Sequence, residues 1–291
     1  MIEKEIVEWN LWTGCKYCST GCRYCKASQN VSIQALHSES NKLLKKAYSD
    51  RKLPVCERRY KIDSGSIVQV CTLSDFFVEG ADVLRKEAIE VIKQRKDVLF
   101  IINTKRPEKI DESFGELESK ELRNIAINVV AENTETVWSR LSDFINMQSN
   151  IVHRGIVLNP LLESVDITPF LSTGLIEQVE VYGEHCTDLG DTPRKLDIDW
   201  VKSISNQCRM YDTRFKFKST GTILRNGNSE ATIRACRDQI ELAKFYNLNY
   251  EPVNQSDNYW EAIAEKLEDI RLSELAYEIN SRKDDTLKNS I

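Results

Sequence analysis

Histidine is scarce: His37, His153 and His185 are the three in 291 residues. A metal centre built from several imidazoles is therefore not expected. Long apolar runs are missing too. No stretch approaches eighteen consecutive apolar residues, so no membrane-spanning helix is expected. The N-terminal MIEKEIVEWNLW has neither the apolar run nor the small-residue cleavage site of a signal peptide. There is no internal repeat and no low-complexity segment. The net charge of -5 and pI near 5.5 supply no global pull towards polyanions, so a nucleic-acid partner would need a local basic patch. Together these absences point to a cytoplasmic protein without membrane contact. Structural disulfides are rare in that compartment, and the nine cysteines read better as metal ligands plus buried thiols.

What is present is concentrated near the N-terminus. Cys15, Cys18, Cys22 and Cys25 fall in one stretch, CKYCSTGCRYC. Short gaps with a glycine let such a loop wrap its thiols around a metal or cluster. Two triples are available. Cys18, Cys22 and Cys25 have the spacing C-x3-C-x2-C; Cys15, Cys22 and Cys25 have C-x6-C-x2-C. Taken as two C-x2-C pairs, the same four thiols also suit a tetrahedral zinc site. Against zinc, its knuckles usually separate their pairs by more residues. Cluster, zinc and inert thiols all remain open on spacing alone.

The rest of the chain alternates. Strand candidates run over Ile6–Trp12, Ile67–Thr72, Val98–Asn103, Ile125–Ala131, Gly155–Leu158, Val179–Tyr182 and Phe215–Phe217. Helical patterns run over Val31–Tyr48, Ala81–Gln94, Leu117–Arg123, the segment after Asn133 and Thr134, and Trp200–Met210. Asn133 or Thr134 is expected to cap its helix. Alternation of this kind implies βαβ units and a parallel sheet. The expected fold is α/β, a full or partial parallel (β/α) barrel of about six to seven units over residues 1–250. A charge-rich helical C-terminal extension follows over 251–291. In barrels the chemistry sits at the C-terminal strand ends. Here those ends carry Ser74, Asp75, Lys105, Arg106, Glu132, Asn133, Asn159, Glu184 and Lys218, which equally suit strands that simply leave into polar loops.

The C-x3-C-x2-C spacing on a loop after a first strand resembles the radical S-adenosylmethionine (SAM) superfamily. A wider likeness joins it. The segments WNLWTGC (9–15), GCRYC (21–25), SDFF (74–77), TKRP (104–107), EN (132–133), PLL (160–162), GE (183–184), DWV (199–201), FK (217–218) and TG (220–221) occur in order over residues 5 to 250. This chain resembles a phage- and bacterium-borne family of radical-SAM-like proteins, some encoded beside a three-Cys-motif partner protein. The resemblance implies a 4Fe–4S cluster with one open iron that binds SAM, and an external electron donor. Reductive cleavage of SAM would then act on an unknown substrate. The family's cysteines fall at Cys15, Cys22 and Cys25, whereas the superfamily spacing nominates Cys18 in place of Cys15. The chain departs from the family at Lys26, Asn159 and Tyr182, where an aromatic residue, a glutamate and a glycine are usual.

Roles follow from SAM's amine, carboxylate and adenosine. The expected cofactor-binding residues are Ser74, Asp75, Lys105, Arg106, Glu132, Asn133, Gly183, Glu184 and Lys218. Asp75 or Glu132 would receive the amine, Lys105 or Arg106 the carboxylate, and Gly183 would let backbone approach the ligand. His185 and Cys186 read as a surface histidine and a buried thiol, with proton or hydrogen-atom donation as the sharper role. Cys56, Cys71, Cys208 and Cys236 lack ligand spacing and read as structural, the last two on helix core faces. Arg51, Lys52, Arg58, Arg59 and Lys61 around Tyr60 read as a solvated basic loop, with phosphate-backbone contact as the alternative. The competing function is a non-catalytic iron–sulfur or zinc-binding interaction protein of a phage or defence system.

Overall fold

Short runs of β-branched and large apolar residues form strands buried on both faces, and amphipathic segments between them form the covering helices. The computed structural model describes residues 6–36, 62, 64–115, 122–186, 192–252, 259–267 and 269. In chain order the elements are β1 (Val7–Trp9), β2 (Trp12–Thr13), α1 (Lys26–Gln29), β3 (Gln34–Ala35), β4 (Ile67–Val70), α2 (Asp82–Gln94), β5 (Leu99–Thr104), α3 (Ile110–Phe114), β6 (Ile125–Ala131) and α4 (Thr134–Asn146). Then come β7 (His153–Leu158), α5 (Thr168–Leu171), β8 (Gln178–Tyr182), β9 (Leu196–Asp197), α6 (Ile198–Met210), β10 (Arg214–Ser219), β11 (Ile223–Asn226), β12 (Ser229–Thr232) and α7 (Cys236–Phe245). Residues 259–267 are helical.

Seven strands make one parallel sheet in the order β1-β4-β5-β6-β7-β8-β10, curled into a half-barrel. The sheet ends at β1 and β10, so a full barrel is not formed. The free edge of β10 is covered instead. Phe215 and Tyr250 exchange backbone hydrogen bonds of 2.9 and 3.0 Å, which ends the pairing. Beyond β10 the chain makes a hairpin of β11 and β12, turned at Gly227 with φ +58°, and β9 joins it in parallel. This small sheet was not expected from the sequence.

Side chains alternate across each strand. Val68, Val70, Phe100, Ile102, Ile127 and Val129 face the helices, among them Ala88, Val91 and Ile92 of α2 and Val137, Leu141 and Phe144 of α4. Ile67, Leu99, Ile101 and Ala126 face the concave side, where Ala264 and Leu267 of helix 259–267 cover them. That helix also stacks Tyr259 and Trp260 against buried His153. The near part of the C-terminal segment is thus helical and seated at the foot of the concave face.

Two expected helices need comment. Residues 31–36, the start of the anticipated helix over Val31–Tyr48, are extended. Gln34 and Ala35 pair with Thr13 and Trp12, and the Leu36 amide donates to the Leu11 carbonyl at 2.8 Å. Pairing to the strand that leads into the cysteine loop overrides the local helical pattern. The remainder of that helix, the basic segment with Cys56, most of Leu117–Arg123 and the chain after 269 lie outside the described residues. Among the described residues no helix is long and apolar enough to cross a membrane.

Candidate functional site

The cysteine loop leaves β2 through Gly14, whose φ of +92° is left-handed and favours glycine. A β-carbon there would stand 2.2 Å from the Ser32 carbonyl oxygen. Cys15 donates its amide to Asn30 at 2.9 Å, a 3-10 turn spans Thr20–Cys22, and α1 begins after Cys25. The loop is braced against the C-terminal edge of the sheet by residues from several strand ends. Ser74 accepts from Trp12 Nε1 at 2.9 Å and donates to the Gly14 carbonyl. Arg106 Nη2 donates to the Lys16 carbonyl at 2.8 Å, and Arg194 Nη2 to that of Thr20 at 2.9 Å. Glu132 receives the Gly21 amide at 3.4 Å. A β-carbon at Gly21 would lie 2.8 Å from Lys105 Nζ and 2.9 Å from Glu132 Cδ, so a larger residue there would have to displace those side-chain ends.

Cations crowd the sulfurs. Lys105 Nζ is 3.7 Å from Cys22 Sγ, Arg106 Nη1 3.9 Å from Cys15 Sγ, and Arg140 Nη2 4.0 Å from Cys18 Sγ. Cys18 and Cys22 lie 3.8 Å apart. The hydrogen bond from Cys18 and the neighbouring Lys105 hold the Cys22 thiol well below its usual range, while the same pairing pushes Cys18 up. Burial raises Cys15, with Arg106 opposing it. Of the three sulfurs with a cation beside them, Cys22 is the one whose surroundings favour the thiolate.

All four cysteines line a cavity of about 410 Å³ together with Gln69, Cys71, Asn103, Val130, Val157, Asn159 and His185. Of the nine residues expected to bind a cofactor, Ser74, Asp75, Lys105, Arg106 and Glu184 also line it. The carboxylates among them are already engaged. Asp75 accepts from the amides of Phe77 and Lys105 at 2.9 and 2.8 Å and from Thr104 Oγ1 at 2.9 Å, and pairs with Arg106 at 3.0 Å. Glu132, fully buried and not a lining residue, pairs with Arg140 at 2.8 Å and Lys105 at 3.6 Å. Glu184 accepts the side chain and amide of Arg194. These acids aim cations and fix the loop.

The other expected residues stand elsewhere. Asn133 is a helix cap, accepting the Thr136 amide at 3.0 Å in a capping box. Lys218 is exposed, and neither it nor Gly183 lines the cavity. The close approach that Gly183 permits is to backbone: a β-carbon would meet the Thr220 oxygen at 2.2 Å and the Gly221 nitrogen at 2.8 Å. Gly183→Ala is therefore expected to cost about 1–3 kcal/mol. A urea unfolding midpoint that moves by less than the error would show that the β8–β10 crossing can open without strain.

Among the remaining cysteines, Cys71, Cys186 and Cys208 are buried as expected. Cys236 is a correction. It is exposed, because it is the first residue of α7 and the buried positions of that helix begin a turn later at Gln239 and Ala243. Arg140 and Arg194 were missed by reading the sequence. Arg140 does carry a signal, a cation within the apolar stripe of Val137, Leu141 and Phe144; Arg194 carries none.

A family described as "Protein of unknown function (DUF5131)" matches residues 1–266. The chain belongs to that family. The DUF5131 match takes in the cysteine loop, every strand of the half-barrel and nearly all of helix 259–267. No curated protein matches the chain. No solved structure matches it either.

Proposed function

We propose that this chain is a radical-SAM-type enzyme whose cysteine loop holds a 4Fe–4S cluster through Cys15, Cys22 and Cys25. The observation that carries the reading is the place of the loop. Four thiols face a cavity at the C-terminal ends of a parallel, curled sheet, the end at which β/α folds keep their chemistry. The donor set fits the group: soft thiolate ligands suit iron–sulfur clusters, and cations compensate their charge.

The sulfur spacing bears on the ligand choice. Two thiolates sharing one tetrahedral ion at about 2.3 Å bonds sit about 3.8 Å apart. Thiolates on separate irons of a cube point outward from its corners and stand farther apart. The 3.8 Å between Cys18 and Cys22 suits one ion, not two corners. The reading therefore keeps Cys15 and leaves Cys18 beside the cluster as a hydrogen-bonding thiol.

When bound, the cluster supplies one electron for cleavage of SAM. The chain's own residues do the rest. Lys105, Arg106 and Arg140 set the positive surroundings of the sulfurs, and Asp75, Glu132 and Glu184 hold those cations and the loop in register. Gln69, Asn103 and Asn159 line the cavity and offer side-chain amides to the ligand's polar atoms.

The test is anaerobic reconstitution with iron and sulfide, then SAM and a reductant, with 5′-deoxyadenosine measured by chromatography. Its release is expected. A full cluster that yields none would leave a non-catalytic cluster-binding protein. About one zinc per chain, with no cluster formed, would end the reading.

A further inference from the structure

Outside the cysteine loop, a second set of chemistry-bearing side chains converges at the start of α7. Cys236 Sγ lies 3.2 Å from His185 Nε2 and 3.8 Å from Nδ1. His185 Nδ1 stands 3.1 Å from the side-chain oxygen of Gln239. Gln239 is itself fixed. Its Nε2 donates to the Ile233 carbonyl at 2.7 Å, and its Oε1 also accepts from Ser219 Oγ at 3.2 Å. Only 1% of Gln239 is exposed.

These contacts decide the tautomer. Gln239 Nε2 is committed to a carbonyl, so its Oε1 faces the ring and must receive a proton from Nδ1. The unprotonated nitrogen is then Nε2, the one nearest the sulfur. A thiol, a base within reach of it and a buried amide holding that base form the arrangement of an activated nucleophile. With Nδ1 only 3.8 Å from the sulfur, the thiol lies beside the ring and off the Nε2 lone-pair direction, so the exposed Cys236 side chain must swing to deliver its proton; hydrogen bonds of catalytic groups commonly tighten in this way around substrate.

Two further features bear on what the sulfur can attack. Cys236 opens a ten-residue helix whose N-cap, Ala235, offers no side-chain acceptor, and the first intrahelical amide is that of Gln239. The amides of Cys236 and Arg237 therefore have no intrahelical partner and suit an oxyanion. His185 is also a wall of the cavity, while Cys236 is exposed, so a small molecule has access to the pair.

We propose that Cys236, His185 and Gln239 form a nucleophilic site for activated acyl compounds, esters or thioesters. In the first step Cys236 Sγ bonds to the carbonyl carbon as His185 Nε2 takes the thiol proton. The carbon–leaving-group bond then breaks, and His185 returns that proton to the leaving alkoxide or thiolate. In the second step water gives a proton to His185 and bonds to the same carbon. The carbon–sulfur bond breaks, and His185 reprotonates the sulfur. The products are a carboxylic acid and an alcohol or thiol, with no net oxidation. Gln239 acts through His185 as a positioning residue. None of this depends on the cluster or on SAM.

The test uses the full chain and p-nitrophenyl acetate as probe, with nitrophenolate release followed by absorbance and the acetylated peptide located by mass spectrometry. Acetyl is expected on Cys236. Its rate of appearance is expected to fall about 100-fold in His185→Ala, and Gln239→Glu, which keeps an acceptor for Nδ1, should stay within a few-fold of the parent. Cys236→Ser should lose the label at that peptide while keeping the parent's unfolding midpoint. The proposal is overturned if Cys236 reacts no faster than free cysteine at the same pH. It is overturned equally if His185→Ala leaves the rate unchanged, or if acetyl appears on the loop cysteines and not on Cys236.

Discussion

Reconstituted Cys22→Ser protein is expected to hold essentially no iron or sulfide, whereas Cys18→Ser retains the full complement. Cys22 is the common member of both possible triples, is buried, and carries the thiolate of its pair because Lys105 and the Cys18 hydrogen bond favour its charge. On the proposed reading Cys18, 3.8 Å from Cys22, is a hydrogen-bonding neighbour and not a second corner. Cys15→Ser and Cys25→Ser should resemble Cys22→Ser. The readouts are iron and sulfide content and the visible absorption of the cluster, neither of which requires a known substrate. Retention of a full cluster in Cys15→Ser, with its loss in Cys18→Ser, would reverse the assignment and restore the shorter spacing.

The second large effect belongs to Glu132. Its carboxylate is wholly buried and is shared by Arg140, Lys105 and the Gly21 amide. Glu132→Ala removes one negative charge and leaves a guanidinium with 9% side-chain exposure and an ammonium with 16% beside a void. Breaking a buried pair from one side costs about 3–5 kcal/mol, because the surviving charge loses its partner without regaining water. For a chain of this size that lowers the thermal midpoint by roughly 10 °C. Glu132→Gln keeps an acceptor for Gly21 and should lose less. Thermal and urea unfolding measure both; a loss below about 1 kcal/mol for the alanine variant would mean that water or a shifted Lys105 replaces the carboxylate.

Legibility differed from element to element. β6 was placed to the residue by the run Ile125–Ala131, and α4 by its apolar stripe and the Asn133 cap, because periodicity and capping are local. Whether the sheet closes is not local. It depends on what meets the edge of β10, and the answer, residues around Tyr250, leaves no periodic mark. β9, β11 and β12 are short and half-polar, so alternation could not separate them from loop. Within the site, the cysteines announce themselves by density and the strand-end polar residues by position. Which acids are free for a ligand depends on partners far along the chain: Arg106 with Asp75, Arg140 with Glu132, and Arg194 with Glu184. The pairing of His185 with Cys236 also joins residues far apart in sequence, and α7 had to be placed before it could be seen.

Helix 259–267 has a consequence for the order in which the protein is made. Ile67, Leu99, Ile101 and Ala126 emerge early in synthesis, but Ala264 and Leu267, which cover them, are among the last residues of the described chain. The nascent sheet therefore carries a bare apolar floor until residue 267 has left the ribosome. Contacts of such long sequence separation form late and leave intermediates with exposed greasy surface. A chain stopped at residue 250 would keep its cysteine loop and all seven strands, yet stay in that sticky half-finished state.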